Sequence, residues 1–108
     1  MTAKYLNGSL TDVAVQANAN PCVLDVVALA NPNAALTYLA LFDTANAAGI
    51  VPGTTVPDFF FTAPSSGALN LSALELPFLN GCALLVTTTS PLSAVAPGSN
   101  LFGAFLFS

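Results

Sequence analysis

No apolar run in this chain goes far before a turn former stops it. Asn20-Pro21, Asn31-Pro32-Asn33, Pro52-Gly53, Pro64-Ser65-Ser66-Gly67, Asn80-Gly81 and Pro97-Gly98 supply the fixed or left-handed backbone angles that chain reversals need. The segments between them are short and rich in β-branched, leucyl or aromatic residues. They are CVLDVVALA (22–30), ALTYLALFD (35–43), FFFTA (59–63), ALNLSALEL (68–76), CALLVTTT (82–89) and NLFGAFLF (100–107), preceded by SLTDVAVQA (9–17). About seven strands so punctuated predict an all-β chain, a single antiparallel β-sandwich or jelly roll over 1–108. A length of 108 residues leaves room for one two-layered core and not two. The only helical segment expected is DTANAAG, 43–49, one turn capped by Asp43 or Thr44 and ended by Gly49.

Alternation assigns faces. In 35–43, Leu36, Tyr38, Ala40 and Phe42 oppose Thr37, Leu39, Leu41 and Asp43, so both faces are largely apolar. The last segment repeats this, with Leu101, Gly103, Phe105 and Phe107 alternating with Phe102, Ala104, Leu106 and Ser108. A sandwich interior covers one face, and a partner is expected to cover the other. Consecutive strand residues point to opposite sides, so at least one ring of Phe59, Phe60 and Phe61 must leave the interior. These three, with Phe102, Phe105 and Phe107, are the candidate interface residues. The weakly patterned connection 44–58 is the loop expected to meet a partner.

Composition sharpens that expectation. Hydrophobic residues make up 55% and charged residues 6%, against roughly a quarter charged in an average soluble protein. Asp12, Asp25, Asp43, Asp58, Glu75 and the single base Lys4 give a formal charge of −4, a sparse skin for a solitary monomer. With one Lys and no Arg, the chain cannot neutralise a phosphate backbone, which excludes nucleic acid as a partner. Residues 76–108 carry no acid or base, but Pro77, Gly81, Pro91, Pro97 and Gly98 interrupt them well before the ~20 apolar residues of a membrane-spanning helix. No membrane partner is expected. The opening MTAKYLNGSLTDVAV lacks the continuous apolar core of a secretory signal, so the sequons at Asn7 and Asn70 carry little weight.

The chemistry available is narrow. There is no His, which removes the usual general base and the Ser-His-Asp triad. Catalysis would rest on Asp43 and Asp58, which bracket one loop and could act as an acid and base pair; the plainer alternative is that each solubilises a strand end. Asp43, Asn46 and a loop carbonyl could approach a calcium ion, yet the dense spacing of a calcium loop is missing and capping is the simpler role for Asp43. The expectation is no catalytic residue, no metal and no cofactor. Cys22 and Cys82 could form an inter-sheet disulfide adding about 4 kcal/mol. The chain has no Trp, however, and position 80 is Asn where a tyrosine corner would place Tyr, so two buried free thiols are the more economical reading.

The order of LTYLALFDTANAAG, VPGTTVPDFFFTAP, LPFLNGCALLVTTTS and a final apolar strand resembles the small β-sandwich virion proteins of tailed bacteriophages, including capsid decoration or cement proteins. The likeness covers most of 22–107 and rests on element order and on the FDT, PFLNG and TTT segments. It implies a non-enzymatic structural protein, made in the host cytoplasm and placed on the virion, most concretely on the outer capsid surface. Its partners would be the major capsid protein or other virion proteins and further copies of itself, commonly as trimers. A tail or neck component is the close variant. A small carbohydrate-binding β-sandwich, using an exposed ring with Asn and Asp nearby, is the reading from another class.

Overall fold

Turn chemistry and period-two patterning produce nine strands among the described residues. The computed structural model describes residues 3–108. The strands are β1 (Ala3–Leu10), β2 (Val15–Asn18), β3 (Cys22–Asn31), β4 (Thr37–Asp43), β5 (Phe59–Ala63), β6 (Gly67–Leu71), β7 (Leu76–Phe78), β8 (Cys82–Thr87) and β9 (Leu101–Phe107). β1-β9-β3-β6 form the first sheet, with β7 beside the start of β3, and β2-β8-β4-β5 form the second. β4 pairs with β5, β3 with β6, β2 with β8 and β1 with β9, so the chain is one long antiparallel hairpin whose tip is the β4–β5 connection. Rolling it brings β9 against β3 and β4 against β8. The result is a jelly roll in which β6 and β7 are halves of one broken strand.

The break originates in β3. Leu24 stands opposite Phe107 and Val26 opposite Leu106, which leaves Asp25 as the extra residue of a bulge. On the other side of β3 the partner passes from Leu71, opposite Val27, to Leu76, opposite Leu24. Residues 72–75 are looped out there, with the Leu74 N–H donating to the Asp25 carbonyl at 3.0 Å and Ala73 and Glu75 at φ 53°. The single strand expected over 68–76 is therefore two. The strand expected over 9–17 also divides, because the chain changes sheets at a corner after Leu10. There Thr11 Oγ1 accepts the Val13 N–H at 3.1 Å and the Thr11 carbonyl accepts the Val86 N–H at 2.9 Å.

Between the sheets, Leu10, Leu24, Leu29, Leu39, Leu41, Phe78, Leu84, Phe105 and Phe107 are sealed from solvent. Gly103 belongs there because a Cβ would stand 2.7 Å from both the Leu10 and Phe105 side chains. A second, smaller core lies on the outer face of the second sheet, where Ala40, Phe42, Ala83 and Leu85 are covered by Ile50 with Ala14 and Ala47 alongside. Both faces of β4 and β8 are thus buried within one chain. The cover expected from a partner comes, at this sheet, from the chain's own 44–58 connection.

Amide side chains close the ends. Buried Asn31 donates to the carbonyls of Ala35, Ala63 and Pro64 at 3.1, 3.3 and 3.1 Å, while its oxygen accepts the backbone and side-chain N–H groups of Asn33. Asn33 in turn exchanges two hydrogen bonds with the Ser99 backbone. Near the other end, Gln16 donates to the carbonyls of Asn18, Thr44 and Cys82 and accepts the Ala47 N–H at 2.8 Å. These side chains satisfy backbone groups that the strands leave unpaired.

Burial ranks the aromatic positions energetically. Phe105→Ala, which empties the main core, is expected to cost about 3–5 kcal/mol, whereas exposed Phe102→Ala should stay within about 0.5 kcal/mol. Urea unfolding midpoints of the two variants measure the difference.

Candidate functional site

The first place to look for chemistry is the end of β4. Asp43 accepts the Leu79 and Asn80 N–H groups at 3.1 and 2.8 Å, and its own N–H donates to Asp58 Oδ2 at 2.7 Å. Gly81 follows at φ 156°, where a Cβ would stand 2.7 Å from the Asn18 carbonyl oxygen and 2.9 Å from that of Thr44. The FDT and PFLNG segments are therefore parts of one structural clamp that ties β4 to the β7–β8 turn.

Asp43 and Asp58 do come together, beside a recess of about 240 Å³ that Thr44, Asn46 and Thr55 also line. Both Asp43 oxygens and Asp58 Oδ2 are already committed to backbone N–H groups. Partial burial pushes the Asp43 pKa up, but hydrogen bonds from Asn80, Leu79 and Gly81 outweigh it and hold the carboxyl below its ordinary range. A carboxylate so stabilised is a weak base and a poor proton donor near neutrality. Asn46 Oδ1 accepts the Ala48 N–H at 3.2 Å and caps the 3-10 turn Ala47–Gly49, the role expected of Asp43 or Thr44. Among the described residues no three His, Cys, Asp or Glu side chains converge as a metal site would require.

Cys22 and Cys82 are both free thiols. Cys82 is sealed in the main core and Cys22, opposite Phe78 on β7, is half-buried against it. Burial raises both pKa values, with Asp43 adding to the effect at Cys22, and Cys22 and then Asp43 adding to it at Cys82. The thiolate, which is the reactive form, is disfavoured at both.

The phenylalanine candidates separate by strand parity. Phe59 and Phe61 turn inward onto the main core, Phe59 meeting Phe78 edge-on with ring centroids 5.6 Å apart. Phe60 turns outward, is 51% exposed, and has Tyr38 as its aromatic neighbour at 6.3 Å. Phe105 and Phe107 are fully inside the sandwich and reach no outer surface, which corrects their place among the interface candidates. Phe102, from the same strand, is 53% exposed.

Phe102 stands on the outer face of the first sheet. The register puts Lys4 and Leu6 of β1, Phe102, Ala104 and Leu106 of β9, Val26, Ala28 and Ala30 of β3, and Ala68 and Asn70 of β6 on that side. Leu6 is 57% exposed, and among the described residues no connection folds over this face as 44–58 does over the centre of the other sheet. The Phe102 ring lies against Gly8, where a Cβ would be 3.4 Å from the ring. Beside it the small residues Ala30, Gly67 and Ala68 leave a recess of about 590 Å³, bounded also by Pro32 and Asn100. The acids lie away from the ring: Asp12 in the β1–β2 corner, Asp43 and Asp58 at the second sheet, and Asp25 and Glu75 at the bulged end of β3. The sequence names Phe102 as a candidate and expects one side of the last strand to be covered by a partner, but Ala, Gly and Phe on a strand apolar on both sides do not say which side faces out. No family model, curated protein or solved structure matches the chain.

Two measurements check this geometry. An unfolded aspartate titrates near 3.9 and folded Asp43 lies below its ordinary range. Its stabilisation is therefore complete above about pH 5, declines as pH falls through the unfolded value, and is gone below the folded one. Asp43→Asn should lose about 1 kcal/mol near neutrality and show a flatter acid limb in urea midpoints followed downward in pH. A thiol reagent at neutral pH should leave Cys22 and Cys82 largely unmodified in the native protein and modify both after denaturation.

Proposed function

We propose that this chain is a non-enzymatic building block of a protein shell, a virion structural protein of the capsid decoration or cement kind. Its work is to add contact between neighbouring capsomers. The observation that carries the reading is the outer face of the first sheet, an apolar surface bearing an exposed ring and an adjoining recess, while on the second sheet the 44–58 connection covers the centre and Phe60 is exposed at the β5 edge. Surfaces of this kind mark protein contacts. The jelly roll is compatible, since it serves in viral coats, but it serves in lectins as well and does not decide between them. The resemblance to small phage virion proteins supplies the setting, with a tail or neck position as its variant.

The carbohydrate reading needs free amides beside an exposed ring. Asn31 borders the recess, but both ends of its amide are spent inside the chain. Asn100 and Ser66 remain as polar groups there, a thin set for a polyhydroxylated ligand. An apolar protein surface suits the face better.

The test is co-sedimentation with purified capsids over a range of salt, with a glycan array run in parallel. Wild-type protein should bind capsids with weak salt dependence, and Phe102→Ser and Leu6→Ser should each reduce occupancy by roughly tenfold or more. Saturable glycan binding, or capsid binding untouched by both substitutions, overturns the reading.

A further inference from the structure

Knob and recess lie side by side on one sheet face. We propose that a second copy of this chain occupies the outer face of the first sheet, across a two-fold axis parallel to the strands, with Phe102 of each copy seated over Ala30 of the other. The inference rests on the assembly reading and deepens it by naming what covers that face in the free protein, before a capsid surface takes its place.

Register supplies the geometry. Phe102 and Ala30 are directly paired on β9 and β3, and Ala68 is paired with Ala30 on β6, so all three lie at one level along the sheet. An axis running between β9 and β3 exchanges the two strands and leaves the level unchanged. It places each ring over the small-residue recess of the other copy, and the ring's lean onto Gly8 keeps its own recess open. A face that holds both knob and hole is self-complementary, as an isologous contact requires. A head-to-tail ring needs them on different flanks, so the geometry favours pairs over the trimers that the phage resemblance implies.

Charge agrees with the same operation. Lys4 is on β1 at the level of Leu106 and Val26. The axis carries β1 over the partner's β6–β7 side, and at that level the partner presents the 72–75 connection, with Glu75 in it and Asp25 at the adjoining bulge. The lone base of each copy thus approaches the acids of the other. Four strands of about seven residues give about 450 Å² of sheet plane, below the ~800 Å² that each side of a standard interface buries. The pair is therefore a weak one, formed in a concentration-dependent way.

Sedimentation equilibrium over a wide concentration range, with thermal melts as the folding control, tests this. Wild-type mass should rise with concentration towards twice the chain mass. Phe102→Ala removes the knob and Ala30→Phe fills the hole, so each alone should abolish the rise. The double variant F102A/A30F should restore it, because the two positions face each other across the axis. A monomer at every concentration, a trimer, stronger pairing by Ala30→Phe alone, or a double variant no better than the singles overturns the two-fold contact. A monomer whose capsid binding still depends on Phe102 would sink the pairing and leave the assembly reading standing. A dimer with these mutant phenotypes that binds no capsid would do the reverse.

Discussion

Two central strands apolar on both faces set the terms for everything else in this molecule. β4 and β8 cannot rest on one core, because Ala40, Phe42, Ala83 and Leu85 point away from it. The chain meets this demand with the tip of its own hairpin, which folds back so that Ile50 covers those side chains. That return holds only if the tip is pinned at both ends. Gln16 grips it at Thr44 and Ala47, and Asp58 grips the Asp43 N–H where the strand begins to leave. The small polar vocabulary of the chain is spent largely on these ties.

Such ties are economical in a molecule with little charge. An amide carries donors and an acceptor on one planar group, so a single side chain can satisfy backbone groups from several segments. Asn31 does this between the sheets at one end and Gln16 near the other. Asp43 does it with two acceptor oxygens, and its accepted N–H groups are what hold it ionised. The same commitments remove these residues from the supply of free functional groups. A side chain with every polar atom engaged by its own backbone is poorly placed to bind a sugar or move a proton.

The sequence was informative where structure is local. β4, β5, β8 and β9 fall within the segments that turn residues bracket, β3 overruns its segment by Asn31 alone, and parity sends one ring of Phe59-Phe60-Phe61 outward. It was uninformative where the cause is distant. Nothing in ALNLSALEL announces the break at 72–75, which answers a bulge at Asp25. Ala3–Leu10 is an edge strand with Asn7-Gly8-Ser9 inside it, and an edge needs no strong apolar pattern. In β9 both faces are apolar, so alternation separates Phe102 from Phe105 and Phe107 without saying which side is inside. Gly103 settles that phase only once Leu10 and Phe105 are packed around it. The clamp at Asp43 and the recess at Ala30 are likewise products of topology, built from residues far apart in the chain.

The two sheets then differ in a way that bears on assembly. The second sheet has bulky outer residues at its centre and needs a loop to cover them, whereas the first has Gly8, Ala28, Ala30, Ala68 and Ala104 on its outer side, with Leu6, Phe102, Val26 and Leu106 as its larger apolar side chains. Small residues keep the centre of that face flat. Flatness also permits close approach of another sheet, and a lone ring beside a hollow gives such an approach one preferred register. Closed two-fold pairing in that register would hide the face from further copies, so pairing by itself ends growth at two.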